Sequence, residues 1–308
     1  MTTADERAQH YLKLRDQGLT YGEIAAGDGV TREAVRNSIR RYTTKATQGI
    51  KVEAPKTAHD LKIFVYDIER APMLREVEEW DLKQYAGYGD PKTIKRRSRM
   101  VSWAGKFLDG PMLYSSEWDH GSDAMINSIW QAFDAADVIV GYNSQRFDNL
   151  HVHGEFFLRG IDDPSPYRSI DLYRLLKSGI KLDSFKLDHV SQLIFDDHKV
   201  DHGSYMRMLR GCIEGDPEER QLFASYNKKD VALTERLYYQ LRSRIKNHPP
   251  VLFESNGTNC NACGSEDLVQ TGWKLALTLR YPMLRCQSCG WQGRSVKGGE
   301  RISLVSTS

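Results

Sequence analysis

Two acidic residues close an apolar run near residue 65. The stretch KIFVYDIER (62–70) reads as a buried strand that ends in Asp67 and Glu69. Because side chains alternate between the two faces of a strand, these carboxylates share one face. Two carboxylates so close repel each other unless a cation lies between them, and oxygen ligands suit Mg²⁺ or Mn²⁺. The alternative is a strand that has reached solvent, and the Asp-x-Glu pair alone does not decide between the two.

Two further stretches have a similar character. VIVGYNSQRFDN is an apolar strand with a polar ending, followed by Asp148 at the start of a helix. In SYNKKDVALTERL, Tyr226 and Asp230 are four residues apart and share one helical face with leucines. An acid in a buried stripe needs a partner. The alternatives are a helix N-terminal role for Asp148 and a Tyr–Asp pair at the rim of the second helix.

Together these stretches resemble the three motifs of the DEDD 3′–5′ exonucleases, the DnaQ-like branch of the ribonuclease H-like fold. YDIE matches the first motif, NSQRFD resembles the second, and YNKKD has the Tyr-x-x-x-Asp form of the tyrosine subclass. SFKLDHVSQLIF is similar to a helix in the proofreading domains of family-B DNA polymerases. The resemblance covers residues 60–243.

This resemblance implies a role for each matching residue. The acids Asp67, Glu69, Asp148 and Asp230 would bind two Mg²⁺ or Mn²⁺ ions roughly 4 Å apart. Tyr226 would orient the attacking water, since a tyrosine with a pKa near 10 is a poor base at neutral pH. Asn143 and Phe147 would contact the terminal nucleotide. For Asp171 a helix N-cap is favoured over a fifth acid at the site.

The elements that must position these residues alternate between strands and helices from 60 to 246, which predicts an α/β domain with a mixed sheet flanked by helices. Strands are expected at 62–69, 99–109, 112–117 and 137–143. Helices are expected at 123–135, near 147–159, 171–177 and 186–195, and over 218–245 with a break near Ser225.

Two features depart from the resemblance. The insertion YAGYGDPKTIKRRSR (85–99) combines tyrosines with a basic run, in which Lys95, Arg96 and Arg97 are candidate phosphate ligands. A solvated loop is an equal alternative. His151 lies one turn after the second motif, and a solvated helix face is favoured for it over an approach to the site.

The segment GLTYGEIAAGDGVTREAVRNSIRRY resembles a helix-turn-helix, with Thr20 and Thr31 as N-caps and Gly29 at the turn. The second helix carries the candidate DNA-binding residues Arg32, Arg36 and Arg40. Asp28 departs from the motif, which usually has an apolar residue there. The alternative is a helical hairpin used for protein contacts.

Four of the five cysteines form two Cys-x-x-Cys pairs, Cys260/Cys263 and Cys286/Cys289. Paired spacing of this kind in an intracellular protein indicates metal rather than disulfides. Four thiolates suit one structural Zn²⁺ and leave no open position for catalysis. The tail therefore resembles a zinc ribbon.

The whole chain has 308 residues and a formal net charge of +2, too small to argue for an anionic partner by itself. Without a signal region or a membrane-length apolar run, we expect a soluble cytoplasmic protein. The predicted organisation is a helix-turn-helix at 1–45, a linker at 46–59, the exonuclease domain at 60–246, a linker at 247–257 and the zinc ribbon at 258–308.

The predicted function is metal-dependent 3′–5′ exonuclease activity on DNA, in replication or repair and with a possible protein partner. An exoribonuclease of the same fold and a non-catalytic DNA-binding or recruitment protein remain open. The sequence does not reveal strand preference, helix-turn-helix specificity or oligomeric state.

Overall fold

The computed structural model describes residues 3–17, 19–46, 61–78, 91–246, 248–252, 258–276, 279–295 and 299–301. Three predicted segments lie partly outside the described residues. They are the first linker from residue 47 onward, residues 253–257 of the second linker and residues 85–90 of the insertion.

The described part of the central region contains seven strands. They are β1 (Ile63–Ala71), β2 (Leu74–Arg75), β3 (Ile94–Arg96), β4 (Arg99–Phe107), β5 (Leu113–Ser116), β6 (Val138–Gly141) and β7 (Arg168–Asp171). Five of them form one sheet in the order β5-β4-β1-β6-β7. β1 pairs antiparallel with β4, and β4 antiparallel with β5, whereas β1, β6 and β7 are parallel. β2 and β3 form a separate small hairpin.

Ten helices accompany the strands in the described residues. They are α1 (Ala4–Asp16), α2 (Tyr21–Asp28), α3 (Arg32–Ala46), α4 (Glu117–His120), α5 (Ser122–Ala135), α6 (Asp148–Arg159), α7 (Leu172–Gly179), α8 (Leu187–Phe195), α9 (Tyr205–Glu214) and α10 (Pro217–Leu241). A short 3₁₀ turn, Arg242–Arg244, follows α10.

The central strand β1 separates two hydrophobic cores. Its odd-numbered residues, Ile63 and Val65, pack with residues of α7, α8 and α10. Its even-numbered residues, Phe64 and Tyr66, pack with residues of α5 and α6. Full burial of each such side chain contributes about 1.5–3 kcal/mol, so burial on both faces fixes the register of the strand. This mixed sheet flanked by helices is a ribonuclease H-like fold and confirms the predicted fold class.

Most predicted elements of this region are present within a few residues of the expected bounds. The predicted break near Ser225 is wrong, because α10 runs without interruption and the Ser225 hydroxyl donates to the Gln221 carbonyl within the helix, at 2.9 Å. The predicted helix at 218–245 ends early, at Leu241. β7, α9 and the hairpin of β2 and β3 were not predicted.

The N-terminal helices α1, α2 and α3 share a small core that includes Tyr11, Ile24, Val35 and Ile39. Both predicted N-caps are confirmed, since the hydroxyls of Thr20 and Thr31 accept from backbone N–H groups three residues on. Gly29 ends α2 with φ of 65°, a left-handed conformation that glycine adopts without strain.

The cysteine-containing tail forms an antiparallel sheet around β9 (Leu279–Cys286), which pairs with β8 (Leu268–Leu275), β10 (Gln292–Arg294) and β11 (Glu300–Arg301). Within the described ranges, no helix combines the length and the apolar character that a membrane span requires.

Candidate active site and metal centre

Three carboxylates converge where β1 leaves the core. Asp67 and Glu69 extend the odd-numbered face of β1, and Asp230 lies on α10, which packs against that face. One carboxylate oxygen of each lies within 4.8 Å of the others. The structure therefore brings the predicted first and third motifs together.

The chemistry of this cluster fits a divalent cation. Burial and the repulsion of Asp148 and Asp230 hold the pKa of Asp67 well above its usual range. Burial raises the pKa of Glu69 to about 8. The Oδ1 atom of Asp230 is buried and has no hydrogen-bond partner among the described residues. Buried oxygens without partners and mutually repelling acids are both satisfied by a hard cation with oxygen ligands.

Asp148 lies beside this cluster at the start of α6. It is 5% exposed, and burial raises its pKa to about 7 although hydrogen bonds to its own backbone and that of Ile68 lower it. It is the strongest charged influence on the pKa of Asp67 after burial. Asp148 is thus placed to complete the acidic set, but it is not one of the three acids whose oxygens lie within 4.8 Å.

Lys199, which was not predicted from the sequence, contacts both residues of the third motif, Tyr226 and Asp230. Lys199 forms an ion pair with Asp230, and its Nζ lies 3.3 Å from the Tyr226 hydroxyl. Burial lowers the pKa of Lys199, but Asp230 and Tyr226 outweigh it and raise the pKa above its usual value. Burial also raises the pKa of Tyr226, so its hydroxyl stays protonated at neutral pH. The hydroxyl accepts from Lys199 and can donate its proton to a water, which positions that water.

Asn227 contacts the acidic cluster through Asp67 and was also not predicted from the sequence. It is fully buried; its Nδ2 donates to Asp67 Oδ2 at 2.9 Å, while its Oδ1 accepts from the Ser102 hydroxyl at 3.1 Å. The side chain therefore links Asp67 to the neighbouring strand β4. Its position in YNKKD, directly after Tyr226, was the available signal.

Tyr205, the first residue of α9, approaches the cluster from the other side. Its hydroxyl donates to the Arg70 carbonyl at 2.9 Å, and the nearness of Tyr205 to Glu69 opposes the rise in the pKa of that acid. Tyr205 and Asn227 thus hold the two acids of β1 from different elements.

The loop after β6 carries the predicted nucleotide contacts. Asn143 has φ of 62°, a left-handed conformation that asparagine tolerates better than most residues. Its backbone N–H and that of Gln145 donate to the two carboxylate oxygens of Asp171, at 2.9 and 3.2 Å. Asp171 also caps α7 through the Arg174 N–H, so the predicted N-cap role is confirmed.

Phe147 projects from the same loop and is 43% exposed. Its ring meets the ring of His151 edge-on with centroids 4.6 Å apart, and the Arg70 guanidinium lies 5.9 Å from its centroid. Arg70 also lies 2.8 Å from His151 Nε2. Burial and Arg70 lower the pKa of His151, so the ring is neutral and accepts from the guanidinium. His151 therefore packs with Phe147 and Arg70, and does not lie on a solvated helix face.

The basic run of the predicted insertion is mostly paired within the protein. Lys95 forms a salt bridge with Glu76 at 2.6 Å, and Arg97 forms one with the buried Glu155 at 2.9 Å. Arg96 is exposed on β3. The salt bridge of Arg97 with Glu155 stabilises the fold, and Arg97 also contributes to the lowered pKa of Arg70, which lies beside Phe147 and His151.

The N-terminal helices pack against the end of α6. The Tyr21 hydroxyl donates to the Leu158 carbonyl at 2.7 Å, and Arg15 donates to the same oxygen at 3.3 Å. Arg32 and Arg36 are exposed on α3 and line a depression shared with α6. The side chain of Arg40 lies outside the described residues.

The four paired cysteines form a compact sulfur cluster. Their sulfurs all lie within 4.8 Å of one another, and two Sγ–Sγ distances, Cys260–Cys289 and Cys263–Cys286, are 3.6 Å. Four sulfurs at about 2.3 Å from one Zn²⁺ would be about 3.8 Å apart. Although burial raises it, hydrogen bonds from the backbone of Cys289 and from other cysteines lower the pKa of Cys286 to about 7.

The backbone of the two cysteine turns is also alike. Gly264 and Gly290, each directly after a second cysteine, have φ of 77° and 76°. Each donates its N–H to the carbonyl of the first cysteine in its pair, at 2.8 and 2.9 Å. Two equivalent turns facing one another fit the zinc ribbon that the spacing predicts.

A family model and a solved structure are similar to parts of this chain. The family model described as RNase_H superfamily matches residues 107–242, which include α6 and α10 but not β1. The family B DNA polymerase from the hyperthermophilic archaeon Pyrobaculum calidifontis has a similar structure, with 18% sequence identity and a TM-score of 0.46 over 68% of this chain. The aligned part is 34% of the polymerase chain. No curated protein matches the sequence. The fold and the family match support a nuclease, a hydrolase that acts on nucleic acid.

Proposed function

We propose that this protein is a 3′–5′ exonuclease that removes nucleotides from DNA 3′ ends by metal-dependent hydrolysis. The observation that carries the proposal is the convergence of Asp67, Glu69 and Asp230 beside Tyr226. The buried Oδ1 of Asp230 has no partner in the described part of the chain. A scaffold without catalytic use would gain stability by replacing such repelling, buried acids.

The acids Asp67, Glu69, Asp148 and Asp230 would hold two Mg²⁺ or Mn²⁺ ions, which supply an activated water and stabilise the charge that develops on the phosphate. The remaining steps belong to the protein. Tyr226, with its hydroxyl held 3.3 Å from Lys199, orients the attacking water. Asn227 and Tyr205 hold the acids of β1 in place.

The terminal nucleotide would lie between the loop after β6 and Tyr226. The exposed ring of Phe147, fixed by His151, provides a surface on which the terminal base can stack. Asn143 lies on the same loop, which Asp171 holds through two backbone hydrogen bonds. A rigid loop of this kind favours a defined position of the scissile phosphate.

The flanking segments would serve nucleic-acid binding. We assign residues 1–45, which contain α1, α2 and all but the last residue of α3, to a helix-turn-helix whose Arg32 and Arg36 contact DNA. We assign residues 258–308 to a zinc ribbon with one structural Zn²⁺. A helix-turn-helix favours DNA over RNA as the substrate. Action in replication or repair, with a protein partner, belongs to the same proposal.

The test uses single-stranded DNA and RNA of equal sequence, labelled at the 5′ end, with Mg²⁺ or Mn²⁺. A DNA ladder that shortens from the 3′ end, absent in Asp67→Ala but present in the exposed control Asp183→Ala, is the expected result. Faster loss of RNA would favour the exoribonuclease. Degradation of neither polymer would favour the non-catalytic alternative, and cuts in a circular strand would refute exonuclease action.

A further inference from the structure

A depression follows the outer edge of β7, away from the acidic cluster. It has a volume of about 670 Å³ and lies between β7, α7 and the end of α10. Four basic residues contribute to its wall, namely Arg168, Arg174, Arg244 and Lys246. Because β7 is the last strand of the sheet, none of the described strands covers this edge.

A second depression, of about 640 Å³, lies between the end of α10 and the cysteine cluster. Its basic residues are Arg242, Arg244 and Arg285, and its far wall includes Cys289 and Gly290 of the second cysteine turn. Gln240 and Arg244 line both depressions, so the two adjoin. We call the combined surface the basic groove.

The charges of the basic groove are unbalanced. Its lining contains six basic side chains and one acid, Asp171, whose two oxygens already accept backbone N–H groups. Across the described residues, none of the six forms a salt bridge, whereas Lys95, Arg97 and Arg99 elsewhere all do. The groove thus presents positive charge that the fold has not neutralised.

The donors of the groove are also only partly used. Arg174 donates to Gln145 at 2.5 Å and Arg168 to the Lys246 carbonyl at 3.5 Å, both without charge compensation. Guanidinium groups with free donors match the oxygens of phosphate.

The basic groove begins at the loop after β6, to which we assign the terminal nucleotide. Its upper end includes Gln145, which lies in the loop between Asn143 and Phe147. From there it follows β7, whose four residues span about 10 Å, and then continues to the cysteine turn. Apolar side chains on its floor, including the exposed Ile180 and Ile194, offer contacts to unstacked bases.

We propose that the basic groove binds the sugar–phosphate backbone of the single DNA strand whose 3′ end lies at the acidic cluster. This proposal rests on the proposed function, since it takes the same strand as the substrate. A row of cations suits successive phosphates without reading their sequence. Exposed apolar contacts favour a single strand, because a duplex keeps its bases inside. The cysteine cluster then serves substrate binding by fixing Arg285 opposite the end of α10.

The test measures binding rather than hydrolysis. Fluorescence anisotropy of a 5′-labelled 30-residue oligo(dT) is followed against salt concentration, without added divalent metal, in the full-length Asp67→Ala protein. The logarithm of the binding constant falls by about 0.7 per phosphate contact for each tenfold rise in salt. Arg244→Ala with Arg285→Ala should therefore reduce the slope by about 1.4 and weaken binding about 25-fold at 0.1 M salt.

The controls separate charge from folding. The double variant Arg244→Lys with Arg285→Lys keeps both charges and should keep most of the slope. Lys62→Ala removes an exposed cation that does not line the groove and should leave the slope unchanged. Zinc content is measured in each variant to show that the cysteine cluster is intact.

The proposal would be overturned if Arg244→Ala with Arg285→Ala had the same salt dependence of binding as Lys62→Ala. It would also be overturned if this double variant lost as much affinity for a 30-base-pair duplex as for oligo(dT). If the slope changes as expected but the protein with intact Asp67 releases no nucleotides with Mn²⁺, the proposed function fails and the groove stands. If nucleotides are released and the slope does not change, the groove alone fails.

Discussion

Replacement of Asn227 by alanine should weaken metal binding more than it slows the reaction at saturating metal. The side chain is fully buried and donates to Asp67 Oδ2 at 2.9 Å while accepting from Ser102. Asn227 is not one of the candidate metal ligands, which are Asp67, Glu69 and Asp230. Its effect on the ion must therefore act through the orientation of the Asp67 carboxylate.

The magnitude follows from the lost hydrogen bonds. Loss of an outer partner of a metal ligand typically costs 10–100-fold in metal affinity, which is about 1.4–2.8 kcal/mol. This agrees with the 1.5–3 kcal/mol of a hydrogen bond to a charged group. Ser102 also loses its buried acceptor, so we expect a fall of about 2–4 kcal/mol in the free energy of unfolding.

The assay is nucleotide release as a function of Mn²⁺ concentration, with Mn²⁺ binding measured separately by calorimetry. For Asn227→Ala, the Mn²⁺ concentration at half-maximal rate should rise 10–100-fold. The rate at saturating Mn²⁺ should stay within a few-fold of the unmodified protein. Ser191→Ala is the matched control, because Ser191 is equally buried but its hydroxyl has no partner among the described residues.

Two results would refute this reasoning. An unchanged Mn²⁺ dependence would mean that Asn227 only fills space below the cluster. A large loss of rate at saturating Mn²⁺ with unchanged Mn²⁺ affinity would mean that it acts on the substrate instead of on Asp67.

Three further predictions concern stability. In metal-free protein the folded state keeps Glu69 protonated up to about pH 8, whereas the unfolded chain releases this proton near pH 4.5. The unfolded state therefore binds fewer protons between these values, so the melting temperature should fall from about pH 5 to pH 8. The fall should be smaller in Glu69→Gln, and added Mn²⁺ should raise the melting temperature most at pH 8. Cys286→Ser should release zinc and expose the tail to proteolysis while hydrolysis of a short oligonucleotide continues, and complete inactivation would contradict a structural role. Glu155→Gln leaves two arginines, Arg97 and Arg159, without their buried carboxylate and should cost about 3–5 kcal/mol in urea unfolding, so a loss below 1 kcal/mol would contradict it.

The parts of the site that the sequence predicted are those with local patterns. Asp67 and Glu69 follow an apolar strand, and Tyr226 and Asp230 share one turn of a helix, so both pairs could be assigned to one face before any tertiary information. The two equivalent cysteine turns were predicted for the same reason, since a glycine at a fixed offset reports a backbone requirement. The fold class followed from the alternation of strands and helices.

The parts that the sequence missed depend on distant contacts. Lys199 lies in an irregular segment, and its importance comes from Asp230, 31 residues further on. β7 has four residues and an exposed first position, which is too short for a period-two pattern to be recognised. The salt bridge of Arg97 with Glu155 was missed as well, because Glu155 lies on α6 and cannot be inferred from the basic run.

The charge balance of the acidic cluster gives Lys199 a physical role beyond its contact with Tyr226. The four acids we assign to the site carry four negative charges when ionised, and two divalent ions would neutralise them. One positive charge then remains on Lys199, whose pKa is raised above its usual value by Asp230 and Tyr226. A phosphodiester brings one negative charge, so the site with substrate is neutral only if Lys199 stays protonated. A buried site that becomes neutral when the substrate enters favours binding of the phosphodiester, because no net charge has to be kept away from water.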